Sequence, residues 1–280
     1  MRLKRVEQGG VIRTAAQDAQ GDWKDVSDLI GDLDTSSLAG SALADLTEAD
    51  LKTCPEIAHY DRLLPCVGGV GKFMCIGLNY SDHAEEAGMP IPDHPILFLK
   101  ANSAIAGAED VLVMPRGSKC VDWEVELGVV IGKPAKYVSE EHALDHVAGY
   151  CVVNDVSERD FQLHLTGQWT KGKSCDGFGP IGPWFVTADE IPDPQDLSLW
   201  ADVNGERMQA GHTSTMIFSV AEIIAHLSQL MTLYPGDVIA TGTPPGVGMG
   251  YKPPRYLASG DEVKVGIEGL GEQVQKVAAD

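Results

Sequence analysis

Two glutamates stand two places apart inside a run of apolar, mostly β-branched residues, and this run constrains the fold more than any other feature of the chain. In Asp122-Trp123-Glu124-Val125-Glu126-Leu127-Gly128-Val129-Val130-Ile131, the residues Trp123, Val125, Leu127, Val129 and Ile131 alternate, which is the period of a strand with one apolar face. Glu124 and Glu126 then share the other face, about 7 Å apart. Carboxylates that close repel, and an apolar core does not tolerate them unpaired. Either that face is solvated or a hard cation bridges the pair. Asp155 offers a third oxygen ligand where the apolar pair Val152-Val153 ends on Asn154-Asp155. Three carboxylates with waters suit Mg²⁺, with Mn²⁺ or Ca²⁺ as substitutes. The eight histidines form no HExxH and no close Cys/His group of the kind zinc prefers.

The rest of the chain reads as β-rich. Its 31 glycines and 16 prolines are too few for low complexity and enough for many tight turns. From Phe73 onward, short apolar strands such as Phe73–Ile76, Trp184–Val186 and Asp237–Thr241 alternate with Gly, Pro and Asn turns. Asn204-Gly205 predicts a type I′ hairpin. Ser219-x-x-Glu222 is a capping box that opens a helix carrying Val220, Ile223, Ile224, Leu227, Leu230 and Met231 on one face, closed by Pro235-Gly236. Residues 1 to about 70 differ in character: Asp25 to Asp50 reads as short helices and turns and holds few candidate catalytic groups.

A net charge of −20 disfavours non-specific binding to nucleic acid or to an anionic membrane. No stretch of about 18 apolar residues is present, and no apolar core of a signal peptide follows Met1-Arg2-Leu3-Lys4-Arg5, so a cytoplasmic protein is expected. The six cysteines form no C-x-x-C pair and read as buried thiols.

Three further segments carry chemistry. In Gly77-Leu78-Asn79-Tyr80-Ser81-Asp82-His83-Ala84-Glu85-Glu86-Ala87-Gly88, a short helix ending at Gly88 places His83 and Glu86 on one face. A carboxylate beside an imidazole sets its tautomer and raises its basicity, as a general base requires; a plain surface pair fits the spacing equally well. Gly77 and Gly88 bracket the segment, which is expected to move as a lid. Thr170-Lys171-Gly172-Lys173-Ser174 puts two lysines in a Gly-rich turn, where one could stabilise an oxyanion; the glycine spacing fails for a nucleotide loop. Ile239–Gly248 is a strand running into a Gly/Pro loop, whose backbone N–H groups, Gly242 among them, and Thr243 hydroxyl could hold a carboxylate; an ordinary tight turn fits as well.

Taken in order, these segments, from about Phe73 to Val265, resemble the fumarylacetoacetate hydrolase family. Its histidine helix resembles Asn79-Tyr80-x-x-His83-x-x-Glu86, its metal strand resembles Glu124-x-Glu126-Leu127, and its third metal ligand resembles Asp155. Arg159 and Gln162 are similar to the family's substrate-facing pair, Lys173 to its active-site lysine and Thr243 to its substrate-binding threonine, with Gly242 beside it; Lys171 matches nothing. The resemblance implies a mainly β, α+β fold, a mixed β-sandwich roll over residues 71–280 preceded by a small N-terminal domain over 1–70, with Mg²⁺ or a relative and a homodimer. The extra aspartate ligand and long insertions of the larger members are missing, so the chain resembles the shorter acylpyruvase-like branch, with 2,4-diketo-3-deoxy sugar acid hydrolases.

The implied activity is cleavage of the C–C bond of a 2,4-diketo acid to pyruvate and a carboxylic acid. His83, oriented by Glu86, would activate water, and Lys173 would stabilise the oxyanion. Sugar-derived diketo acids, acetylpyruvate-like acids and fumarylpyruvate-like acids all fit the anchoring end. The same metal chemistry also serves oxaloacetate decarboxylation, ureidoglycolate cleavage and isomerisation. A non-catalytic metal-binding protein is the remaining alternative, which the joint presence of His83, Glu86 and Lys173 disfavours.

Overall fold

In the computed structural model, which describes residues 1–280, the run at the centre of the sequence forms the strand Val125–Ile131, buried along its whole length. Its two faces enter two different cores. Leu127, Val129 and Ile131 pack with Val152, Leu199, Val265 and Leu227, whereas Val130 packs with Cys151, Val153 and Phe185 on the opposite side. A strand covered on both faces must be apolar on both, so the polar face begun by Glu124 and Glu126 ends at Gly128. A Cβ there would lie 2.6 Å from Val153 and 2.8 Å from the Cys151 sulfur, which leaves room only for glycine.

The fold is mainly β with α, in two packed sheets. The central path of the larger, eleven-stranded sheet runs Trp23–Asp25, Val11–Gln17, Arg2–Gln8, Gly179–Thr187, Val147–Asn154, Val125–Ile131, Val238–Ala240, Phe73–Gly77, Ile96–Lys100. It is mixed, because Val238–Ala240 pairs parallel with Phe73–Gly77 while Val125–Ile131 pairs antiparallel with both of its neighbours. The second sheet orders Glu206–His212, Ser198–Val203, Glu262–Ile267, Gly271–Ala279 and Leu112–Met114. Helix Val220–Leu230 buries Val220, Ile223, Ile224 and Leu227 against the core between the sheets, and its Ser219–Glu222 capping box is formed. The Asn204-Gly205 hairpin turns with positive φ at both residues, 52° and 78°, as its type requires.

Short helices occupy residues 27–51, as the composition of that stretch leads one to expect. Ahead of them lies a hairpin that its own Gly9-Gly10 turn signals, both glycines at positive φ. Its first strand joins the large sheet through Arg2↔Val186 and Leu3↔Phe185. All six cysteines are free, but only Cys66, Cys75 and Cys151 are buried; Cys54, Cys120 and Cys175 are half-buried. The expectation of six buried thiols is corrected accordingly: Cys75 and Cys151 lie on central strands and Cys66 packs with them in one core, whereas the other three lie outside the strands and are only half covered. Among the described residues, no helix is long and apolar enough to cross a membrane.

Candidate active site

Strand pairing builds the site. Val125 pairs with Asn154 and Glu126 with Val153, which sets the end of the strand Val147–Asn154 beside the start of the glutamate strand. Asp155 N donates to Glu124 O at 2.9 Å, and Glu124 N donates to Asn154 Oδ1 at 3.2 Å. Glu124, Glu126 and Asp155 are all buried, with carboxylate oxygens within 4.8 Å of one another. Burial removes the solvated-face reading of the two glutamates.

Buried cations surround this cluster. Lys173 Nζ donates to Glu124 Oε2 at 2.6 Å and to Asp155 Oδ2 at 2.7 Å. Arg159 Nη2 lies 2.7 Å from Glu124 Oε1 and 2.8 Å from Asp122 Oδ2, and its Nη1 donates to Gln162 Oε1 at 3.0 Å. Lys100 Nζ bonds the other Asp155 oxygen and Val156 O. Electrostatics splits the glutamates. Burial opposes ionisation of Glu124, but Lys173 and Arg159 outweigh it and hold the carboxyl down at about 2. Burial and then the charges of Asp155 and Glu124 push Glu126 well above the usual carboxylate range. The Lys173 ammonium is held in its charged form, since Asp155 and Glu124 outweigh the burial that opposes it.

These residues fit a divalent cation. Among the described residues Glu126 has no ion-pair partner and accepts one hydrogen bond, from Gly242 N at 2.8 Å. A buried carboxylate in that state is missing positive charge. The buried Arg159 Nη2 lacks a well-directed hydrogen bond and is held by charge between its two carboxylate neighbours. The second acidic group, Cys120, Glu158 and Asp160, is differently employed. Glu158 Oε1 accepts from Ser118 and Cys120 N, and Oε2 accepts from Phe161 N, which closes a loop and caps a helix.

The histidine segment forms helix Ser81–Ala87, with Gly88 as a left-handed C-cap at φ 63°. His83 Nδ1 lies 3.0 Å from Glu86 Oε2, and Glu86 Oε1 accepts from Gly246 N at 3.1 Å. The carboxylate is thus anchored from the far side and aimed at the imidazole. Gly77 has a reason other than hinging: a Cβ there would lie 2.3 Å from the Trp169 ring.

His83, Glu124, Glu126, Asp155, Arg159, Gln162, Lys173 and Thr243 all line one cavity of about 120 Å³. Glu86 stands behind His83. The Gly242–Thr243 loop does hold a carboxylate, but it is the protein's own Glu126, and the Thr243 hydroxyl donates to Val125 O at 2.9 Å while accepting from Gln209 Nε2 at 2.8 Å. Both groups therefore support the protein's own carboxylate and strand, and Thr243 also lines the cavity where the substrate-facing reading puts it. Lys171 is exposed and bonds Leu165 O and Thr166, outside the cavity. A larger cavity of about 460 Å³ beside Met1, Leu43 and Lys133 contains none of these residues.

Sequence reasoning missed Asp122, Lys100, Trp169 and Gln209. Asp122 shares the parity of Glu124 and Glu126 and was detectable that way; it accepts from Gly248 N and Met249 N as well as pairing with Arg159. Lys100 ends the apolar strand Ile96–Lys100, a weak signal. Trp169 and Gln209 had none, because only chain packing brings them in.

The family model for the fumarylacetoacetate (FAA) hydrolase C-terminal domain matches residues 72–278. A relative from Burkholderia multivorans, named only as a candidate hydrolase, is 56% identical over 280 residues, covering 100% of this chain and 99% of its own. A solved fumarylacetoacetate hydrolase from psychrophilic Exiguobacterium antarcticum is 38% identical with a TM-score of 0.89 over 100% of both chains. A maleylpyruvate hydrolase from Sphingobium sp. SYK-6, solved with manganese(II) and pyruvate, is 30% identical with a TM-score of 0.81, covering 100% of this chain and 99% of that one. With strand order, carboxylate cluster and histidine helix arranged over the matched span, the chain belongs to the fumarylacetoacetate hydrolase family.

Proposed function

We propose that this protein is a divalent-metal-dependent hydrolase that cleaves a 2,4-diketo acid into pyruvate and a carboxylic acid. The observation that carries this reading is the convergence of three buried carboxylates, a His–Glu pair and a buried lysine on one cavity. Glu124, Glu126 and Asp155 would hold Mg²⁺ or Mn²⁺, which when bound supplies positive charge for the 1-carboxylate and 2-oxygen of the substrate.

The chain's own groups do the rest. With Nδ1–H donated to Glu86, His83 presents the lone pair of Nε2 and takes a proton from water. The water oxygen bonds to C4, and Lys173 stabilises the negative charge that develops on the C4 oxygen. The C3–C4 bond then breaks with its electron pair passing to C3, and a proton taken up at C3 completes pyruvate. Arg159, which lines the cavity, orients the carboxylate end, and Gln162, accepting from its Nη1, keeps Arg159 in place. Gly242 positions Glu126.

The His83–Glu86 pair favours hydrolysis over oxaloacetate decarboxylation, which requires no activated water. Pyruvate release from a panel of 2,4-diketo acids and oxaloacetate, with Mg²⁺, with Mn²⁺ and after EDTA, tests the assignment. Metal-dependent pyruvate paired with an organic acid is expected; carbon dioxide from oxaloacetate as the dominant product would overturn it. A homodimer is the assembly that the family resemblance supports, and light scattering tests it.

A further inference from the structure

Among the described residues, the ligand-bearing end of the glutamate strand has a strand neighbour on one edge only. Val147–Asn154 pairs along its whole length. On the other edge Val238–Ala240 lies opposite Gly128, Val129 and Val130, and Thr241 N reaches one step further, to Leu127 O. The chain then turns at Gly242, φ 103°. Val125, between Glu124 and Glu126, is left with a buried N–H and C=O that must find partners outside a ladder.

Two side chains supply them. Val125 N donates to Gln209 Oε1 at 3.0 Å, Thr243 Oγ1 donates to Val125 O at 2.9 Å, and Gln209 Nε2 donates to Thr243 Oγ1 at 2.8 Å. These bonds close a ring that replaces the missing rung. Gln209 Nε2 also donates to Pro244 O at 2.8 Å, and the residue is fully buried.

The strand Glu206–His212 is shaped to deliver this amide. Ala201 pairs with Gln209 and Asp202 with Arg207, so Met208 is the extra residue of a β-bulge. Met208 and Gln209 are consequently buried in succession, where regular alternation would expose one of them. Loop 242–248 rests directly on this strand: a Cβ at Gly246 would lie 2.0 Å from Met208 O, and one at Gly211 would lie 2.3 Å from Pro244. The same loop gives Glu126 its Gly242 N donor and anchors Glu86 through Gly246 N.

Resting on the metal-dependent reading above, we propose that Gln209 is a positioning residue for both halves of the site. It fixes the backbone between Glu124 and Glu126 so that the pair meets a cation, and it holds loop 242–248 so that Glu86 stays behind His83. Gln209 does not line the cavity and acts through these groups.

Mn²⁺ affinity is measured by calorimetry, the bound ion's surroundings by electron paramagnetic resonance, and amide exchange at Gly242 and Gly246 by NMR. The proteins compared are the unmodified chain, Gln209→Met, Thr243→Val and Thr243→Ser. Gln195→Met is the control, since it loses an amide that bonds Thr213 O and Val220 N instead. Gln209→Met and Thr243→Val are each expected to bind Mn²⁺ at least tenfold more weakly, with a broadened signal and at least tenfold faster exchange at both glycines. Thr243→Ser, which restores the hydroxyl, is expected to recover affinity to within threefold. A merely structural amide would behave as Gln195→Met is expected to, with a lower Tm and unchanged Mn²⁺ affinity. Unchanged affinity or unchanged exchange in Gln209→Met, or in Thr243→Val should the first variant not fold, overturns the proposal and leaves the hydrolase reading standing. Absence of Mn²⁺ binding by the unmodified protein overturns the two together.

Discussion

Replacing Glu126 by glutamine should move the metal-free and metal-loaded proteins in opposite directions. The side chain keeps its shape and an acceptor for Gly242 N, and only the charge is removed. Without metal, burial and the neighbouring Asp155 and Glu124 charges raise the Glu126 carboxyl above its unfolded value of 4.5. The folded state then binds this proton more tightly than the unfolded one, so stability falls as pH climbs from 4.5 towards the folded value. Each pH unit of that interval is worth ~1.36 kcal/mol, which sets a ceiling of about 3 kcal/mol at pH 7. Glutamine carries no such proton, so in EDTA at pH 7 Glu126→Gln should melt at or above the unmodified protein. With metal at a hundredfold excess over its Kd the unmodified protein gains ~2.7 kcal/mol, a rise in Tm on the order of 5–10 °C, and the variant should lose most of that rise. Differential scanning calorimetry at pH 5 and 7, with EDTA and with Mn²⁺, reads all four states. A variant that melts several degrees lower in EDTA and keeps the full metal-induced rise would refute both the electrostatic account and the ligand assignment.

The other positions separate roles. His83→Ala should keep the metal-induced Tm rise and lose ~10²–10⁴-fold in kcat; unchanged turnover would remove His83 as the base. Lys100→Met leaves Asp155 with Lys173 alone and should destabilise the metal-free protein by about 3 kcal/mol, measured by urea denaturation, with a negligible change counting against the pair. Gly77→Ala drives a methyl into Trp169 and should cost about 1–3 kcal/mol while blue-shifting or quenching tryptophan fluorescence differently from the parent; an unaltered spectrum and stability would contradict the packing.

Much of the site was legible from local pattern. Period-two alternation assigned the glutamate strand, an i,i+3 spacing paired His83 with Glu86, and Asn204-Gly205 and Ser219-x-x-Glu222 marked a turn and a helix start that form as read. Each of these signals is carried by residues a few places apart, where backbone geometry alone decides which side chains meet. The burial of Glu124 and Glu126 was not legible, because a strand with charged residues on one face looks the same whether water or a second protein layer lies against it.

Composition and spacing therefore determined the β-rich character, the carboxylate strand, the histidine helix and the residue types of a hard-cation site, and the resemblance carried by those motifs implied the α+β class. Tertiary structure alone decided that Asp155 reaches Glu124 through the Val125↔Asn154 register. It also decided that Gly242 and Thr243 support the protein's own groups, and that Lys100, Asp122 and Trp169 belong to the site. Those contacts join residues tens to more than a hundred places apart in the chain, and no local period carries information about which distant strand end a folded sheet brings alongside.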